Sequence, residues 1–124
     1  MKRREIARDA WREFFDSFNG QHEGWLVGVE RFDEFFDESV STRHRDGTLR
    51  GVRAEDGSVA LAVDDRTTGH LVTEAIQNPQ RIVLQQTEDE EDMGLEIDGA
   101  QACIILRFRN PALAQLVEDR NARL

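Results

Sequence analysis

Trp11-Arg12-Glu13-Phe14-Phe15-Asp16-Ser17-Phe18-Asn19-Gly20-Gln21-His22-Glu23-Gly24-Trp25-Leu26-Val27 is the stretch in which the hydrophobic period of the chain changes. From Ile6 to Phe18, the residues Ala7, Ala10, Trp11, Phe14, Phe15 and Phe18 recur at helical spacing along one side. Asn19-Gly20 is the expected end of that helix, because glycine accepts the left-handed backbone that closes a helix. After Gly24 the period becomes two: Trp25, Val27 and Val29 alternate with Leu26, Gly28 and Glu30, which predicts a strand. An aromatic helix therefore runs straight into a strand, and the two Trp residues join them. A core role is the simplest reading of Trp11 and Trp25, since aromatic rings carry large apolar surfaces.

Outward from this junction the chain reads as short strands separated by turns. Ser39–Asp46 is an expected strand, and Asp46-Gly47 an expected turn. Leu49–Ala54 follows as a strand, Asp56-Gly57 as a tight turn, and Val59, Leu61 and Val63 as one strand face. Asp64 to Gly69 reads as a loop before a strand over His70–Ile76, and Asn78-Pro79 separates that from Arg81–Gln86. Met93–Ile97, an Asp98-Gly99 turn and Ala102–Phe108 complete the strands, with Cys103 to Leu106 the candidate central one. Asn110-Pro111 suits a helix start, with Leu113, Leu116 and Val117 on one stripe. Phe32, Phe35 and Phe36 fit a strand edge, a wide turn or a helical turn. The expected fold is α+β: an N-terminal helix on a curved, mainly antiparallel sheet or partly open barrel of seven or eight short strands, with a short C-terminal helix. No repeat divides the 124 residues, so one domain is expected.

Composition narrows the functional classes. The formal net charge is −9, from 25 acidic and 16 basic residues. Lys2 is the sole lysine, so 15 of the 16 basic residues are arginine. This balance opposes nucleic-acid binding, and it suits both a high-salt setting and a genome rich in arginine codons. No apolar run reaches bilayer length, and Lys2-Arg3-Arg4 leads into a charged stretch rather than an apolar block. The single Cys103 excludes an intrachain disulfide. A cytoplasmic protein without membrane association is the expectation.

Arg4-Glu5-Ile6, Trp11, Phe14-Phe15-Asp16-Ser17-Phe18 and Gln21-His22-Glu23-Gly24-Trp25-Leu26-Val27 resemble the uncharacterised bacterial and archaeal family called domain of unknown function 5335. Leu49-Arg50-Gly51-Val52, Leu95-Glu96-Ile97 and Leu106-Arg107-Phe108-Arg109 extend the resemblance over most of the chain. Ala7 stands where the family pattern carries proline. The resemblance implies no reaction, ligand or catalytic residue.

The residues themselves supply the candidate sites. His22, Glu23 and Trp25 form either a functional cluster or a hydrogen-bonded corner between helix and strand. Arg43, Arg45, Arg50 and Arg53 are the candidate anion patch, and Phe32, Phe35 and Phe36 the candidate interface. Asp64, Asp65 and His70 flank a polar loop that reads first as turn chemistry. Glu88, Asp89, Glu90, Glu91 and Asp92 read as a solvated loop guarding a sheet edge. His44, His70 and Cys103 do not reproduce a metal-binding spacing, and no phosphate-cradling glycine loop, nucleophile elbow or paired-cysteine zinc site is present. No cofactor is expected. The leading functional expectation is a noncatalytic protein-interaction or assembly module, able to form a homo-oligomer. The alternatives are a small-ligand-binding, β-barrel-like protein and a hydrolytic enzyme using His22 or His70 with nearby carboxylates.

Overall fold

The structure is a computed structural model that describes residues 1–34 and 40–109, with backbone alone at 40 and 41. The elements are β1 (Lys2–Ile6), a 3-10 turn (Arg8–Ala10), α1 (Trp11–His22), β2 (Leu26–Glu34), β3 (Val40–Glu55) and β4 (Ser58–Asp65), followed by β5 (Leu71–Gln77), β6 (Arg81–Gln86), β7 (Asp92–Asp98) and β8 (Ala102–Phe108). All eight strands pair antiparallel in one open sheet of order β1-β6-β7-β8-β2-β3-β4-β5. The α+β expectation of one helix packed on a mainly antiparallel sheet therefore holds. The expected C-terminal helix, and the Phe35 and Phe36 positions, lie outside the described residues.

The core lies on one sheet face. Val27 and Val29 of β2, Leu49 and Val52 of β3, and Val59, Leu61 and Val63 of β4 are buried with Ile104 and Leu106 of the central β8. Trp11, Phe15 and Phe18 of α1 cover them, because spacings of three and four residues place all three on one side of a helix. Alternation holds in β2, β4, β6, β7 and β8, which contribute every second residue to the core, whereas in β3 the bulge between Leu49 and Gly51 sets Leu49 and Val52 three residues apart.

Three expectations are corrected. The helix begins at Trp11 rather than Ile6 and runs past Gly20 to His22; the left-handed glycine that ends it is Gly24, at φ 91°. Asn19, read as the helix end, instead turns its side-chain amide onto the bulged backbone of β3. Its Nδ2 donates to the Val52 carbonyl at 2.8 Å and its Oδ1 accepts from the Val52 N–H at 2.9 Å. This pairs two backbone groups beside the bulge and anchors α1 to the sheet.

The second correction is β3, which is a single strand of sixteen residues with no turn at Asp46-Gly47. Gly47 faces Asp65 of β4, and a Cβ there would lie 2.2 Å from the Asp64 carbonyl oxygen. Glycine is required for close strand approach, so its turn-like signature is a coincidence of residue type. The third is β1, which the sequence reading lacks. Lys2, Arg3, Arg4 and Glu5 are all exposed and only Ile6 enters the core, so no alternation marks the strand.

The sheet curls strongly. Arg31 of β2 donates to the Ala75 carbonyl of β5 at 2.8 Å and pairs with Glu74 at 3.2 Å. β3 and β4 separate those strands, about 14 Å in a flat sheet, so one side chain bridges them only across a concave face. The Arg31 guanidinium also occupies a carbonyl of the β5 edge. At the opposite edge, the charged side chains of β1 oppose pairing with another sheet.

Candidate functional site

The last turn of α1 delivers His22 into the interior, where it is 3% exposed. Both ring nitrogens face acceptors: Nδ1 lies 2.7 Å from the Phe18 carbonyl and Nε2 lies 3.0 Å from Asp92 Oδ2. A carbonyl oxygen and a carboxylate oxygen thus flank the ring, and both accept rather than donate. The ring also sits at the helix C-terminus, the negative end of the helix dipole. Around it are aromatic rings: Phe108 stacks at 4.7 Å, Phe18 lies at 4.5 Å and Trp25 meets it edge-on at 4.8 Å. The hydrogen bond from His22, with a further one from Gln86, outweighs partial burial and holds the Asp92 carboxyl below its ordinary value of 3.8.

A cleft of about 470 Å³ opens over this pair, between α1 and the β6–β7 end of the sheet. Phe14, Phe18 and Trp25 form an apolar wall, and Arg4, Gln86 and Glu91 a polar rim. The corner beneath is fixed by backbone bonds: Gly24 N–H donates to the Leu49 carbonyl at 2.8 Å, and Leu49 N–H to the Trp25 carbonyl at 2.9 Å. The structure brings the rings of His22 and Trp25 into edge contact. Glu23 turns away, is exposed, and approaches Arg50 at 3.6 Å.

Asp92 is the residue that sequence reading missed as a partner. It closes the acidic run from Glu88 and was read as solvated with the rest. The run in fact divides: Glu88 pairs with the N-terminal amine, Glu90 with Lys2, and Asp92 begins β7, turned toward the helix. No local sequence signal separates the last acid from its neighbours; only the β6–β7 register does.

The candidate arginines do not form an open cationic patch. Arg43 lies 3.7 Å from Asp33 and 3.5 Å from Glu74. Arg45 is bound to Asp65, Arg50 approaches Asp64 at 3.6 Å, and Arg53 holds Glu55 at 2.6 Å. The Asp65 carboxyl is held below its ordinary value by the Thr68 N–H, then by Arg45, and the Thr67 N–H adds to them. Asp65 thus organises the β4–β5 turn, while the exposed His70 contributes its backbone to the same turn. His44 is exposed and meets only Asp46, at 3.2 Å, among the described residues. Phe32 is half-buried, opposite Cys103 and Thr42 in the strand register.

Glu96, Asp98 and Cys103 bring three potential metal-donor atoms within 4.8 Å of one another, the one such group among the described residues. The two carboxylates are already engaged by arginine. Arg3 reaches Glu96 at 2.9 Å, and Arg81 reaches Asp98 at 2.8 Å and Glu96 at 3.5 Å. The Cys103 thiol donates to Asp98 at 3.1 Å, and burial with that carboxylate pushes its pKa up to about 12. Metal ligation and nucleophilic attack both need the thiolate. Iodoacetamide at pH 8 is therefore expected to label folded Cys103 far more slowly than the urea-unfolded chain; equal rates would refute the protonated-thiol assignment.

Compared with known proteins, the chain matches no family model, no curated protein and no solved structure. Among the described residues, no helix is long and apolar enough to cross a membrane.

Proposed function

We propose that this domain binds a small amphipathic molecule in the cleft over His22 and Asp92, without catalysing a reaction on it. The supporting observation is a preformed concave surface, about 470 Å³, that sets Phe14 and Trp25 against a polar rim of Arg4 and Gln86. This volume and this mixture suit a small-molecule site. His22 serves as the floor rather than as a base, because both ring nitrogens already have acceptors. A hydrolytic role for it would require the release of one of them.

Trp25 is half-buried at the cleft wall, whereas Trp11 is buried elsewhere in the core, so ligand entry should perturb the fluorescence of Trp25 selectively. The test is a panel of aromatic acids, aromatic amines and nucleosides, read by tryptophan fluorescence in a Trp11→Phe background and by thermal shift. At least one chemical class should raise the melting temperature saturably, and Trp25→Leu should abolish the rise. Absence of protection at millimolar concentrations, or protection that persists in Trp25→Leu, would overturn the reading.

A further inference from the structure

We propose a second site, independent of the first cleft: a small-oxyanion site at the N-terminal end of α1. A separate cleft of about 310 Å³ lies there, lined by Arg8, Arg12, Ser58 and Asn78 among others. Arg8 is already oriented: its guanidinium lies over the Trp11 ring, 4.6 Å from the centroid, and donates to the Pro79 carbonyl at 2.8 Å. The remaining guanidinium N–H groups have no partner among the described residues. Arg12 follows four positions later, one helical turn on, and makes no ion pair among the described residues, although most arginines of this chain are bound to carboxylates.

Ser58 provides the independent observation. It is 9% exposed, and its hydroxyl has no hydrogen-bond partner among the described residues, yet it lines this cleft. A buried hydroxyl without a partner carries a desolvation cost that a bound acceptor would remove. The helix adds to the same preference: α1 is twelve residues long, its N-cap is Ala10, and no side chain caps its positive end. Two acidic residues also line the cleft. Glu55 is neutralised by Arg53 at 2.6 Å, leaving Asp9 against two arginines. Two guanidinium groups, a hydroxyl donor and a helix N-terminus together suit an oxyanion, either a phosphate group or a carboxylate.

The test is a titration of the ¹⁵N-labelled full chain with inorganic phosphate, and in parallel with acetate, at ionic strength held constant with chloride. Saturable shifts at the Ser58 and Gly57 amides and at the Arg12 side-chain N–H are expected with at least one anion. Arg12→Gln should weaken that binding by about tenfold, the loss of one charge-assisted hydrogen bond. Ser58→Ala should weaken it several-fold. Arg66→Gln removes the same charge outside the cleft and should leave the affinity unchanged. A response to phosphate alone assigns the site to phosphate groups, and a stronger response to acetate assigns it to carboxylates. Linear shifts with both anions, or equal weakening by Arg12→Gln and Arg66→Gln, would overturn the proposal. Arg12 is exposed and its side chain makes no hydrogen bond or ion pair among the described residues, so its variant should keep the native spectrum. Either result leaves the His22 cleft reading untouched.

Discussion

Trp11→Ala is expected to lower the unfolding free energy by about 3–5 kcal/mol, the range for removing a buried aromatic side chain. Trp11 is 6% exposed and opens α1, where its ring completes the aromatic surface laid over the sheet by Phe15 and Phe18. Its indole N–H donates to the Ile6 carbonyl at 2.9 Å, the last residue of β1. The side chain therefore holds two elements, and its loss acts twice: a void forms beneath the helix, and the strand end loses its tie. Trp11→Phe separates these effects. It keeps most of the apolar surface and orphans the Ile6 carbonyl, at a cost of roughly 1–3 kcal/mol. Urea unfolding followed by circular dichroism measures both. Hydrogen exchange at β1 should speed up in both variants, since β1 pairs with β6 alone. A change below about 1 kcal/mol for Trp11→Ala would show that the helix is not anchored through this ring.

The parts of this fold that could be read in the sequence are those where large apolar side chains line one face and smaller or polar ones the other. Val59, Leu61 and Val63 alternate cleanly because β4 has a core face. Trp11, Phe15 and Phe18 trace a helix for the same reason. The reading fails where another constraint replaces burial. β1 is an edge strand whose register with β6 is carried by backbone bonds, so its charged residues show no period. Gly47 serves strand approach rather than turning, and residue type alone does not separate the two uses. At the far end of the core face, the apolar pattern of Val27 and Val29 gives way to Arg31 and Asp33, balanced by Glu74. That exchange hides the face from any hydrophobic count, although Arg31 closes the curl of the sheet. The candidate site was half legible: His22 and Trp25 lie in one short segment, whereas Asp92 arrives from a hairpin distant in sequence.

Asp92→Asn should cost about 1–3 kcal/mol at neutral pH, the range for leaving a buried donor without its partner, because the His22 ring loses the carboxylate that accepts from it. The substitution leaves the His22 ring in place at 3% exposure but removes the carboxylate 3.0 Å from its Nε2. His22→Ala should cost at least as much, since it also removes the ring packed between Phe18, Trp25 and Phe108. The pH dependence distinguishes an ionic contribution from simple packing. In the folded chain the Asp92 carboxyl lies below 3.8, its ordinary value and that of the unfolded chain. Its contribution is thus complete above that value and is lost as pH falls through the lower folded value. The stability gap between wild type and Asp92→Asn should be constant near neutrality and shrink in acid below about pH 3.8. The gap between wild type and His22→Ala should shrink less, because its packing component does not titrate with Asp92. Urea midpoints measured from pH 7 down to pH 3 test both curves. A gap for Asp92→Asn that stays constant throughout would mean that Asp92 acts by shape, and that the cleft floor is held by the aromatic stack alone.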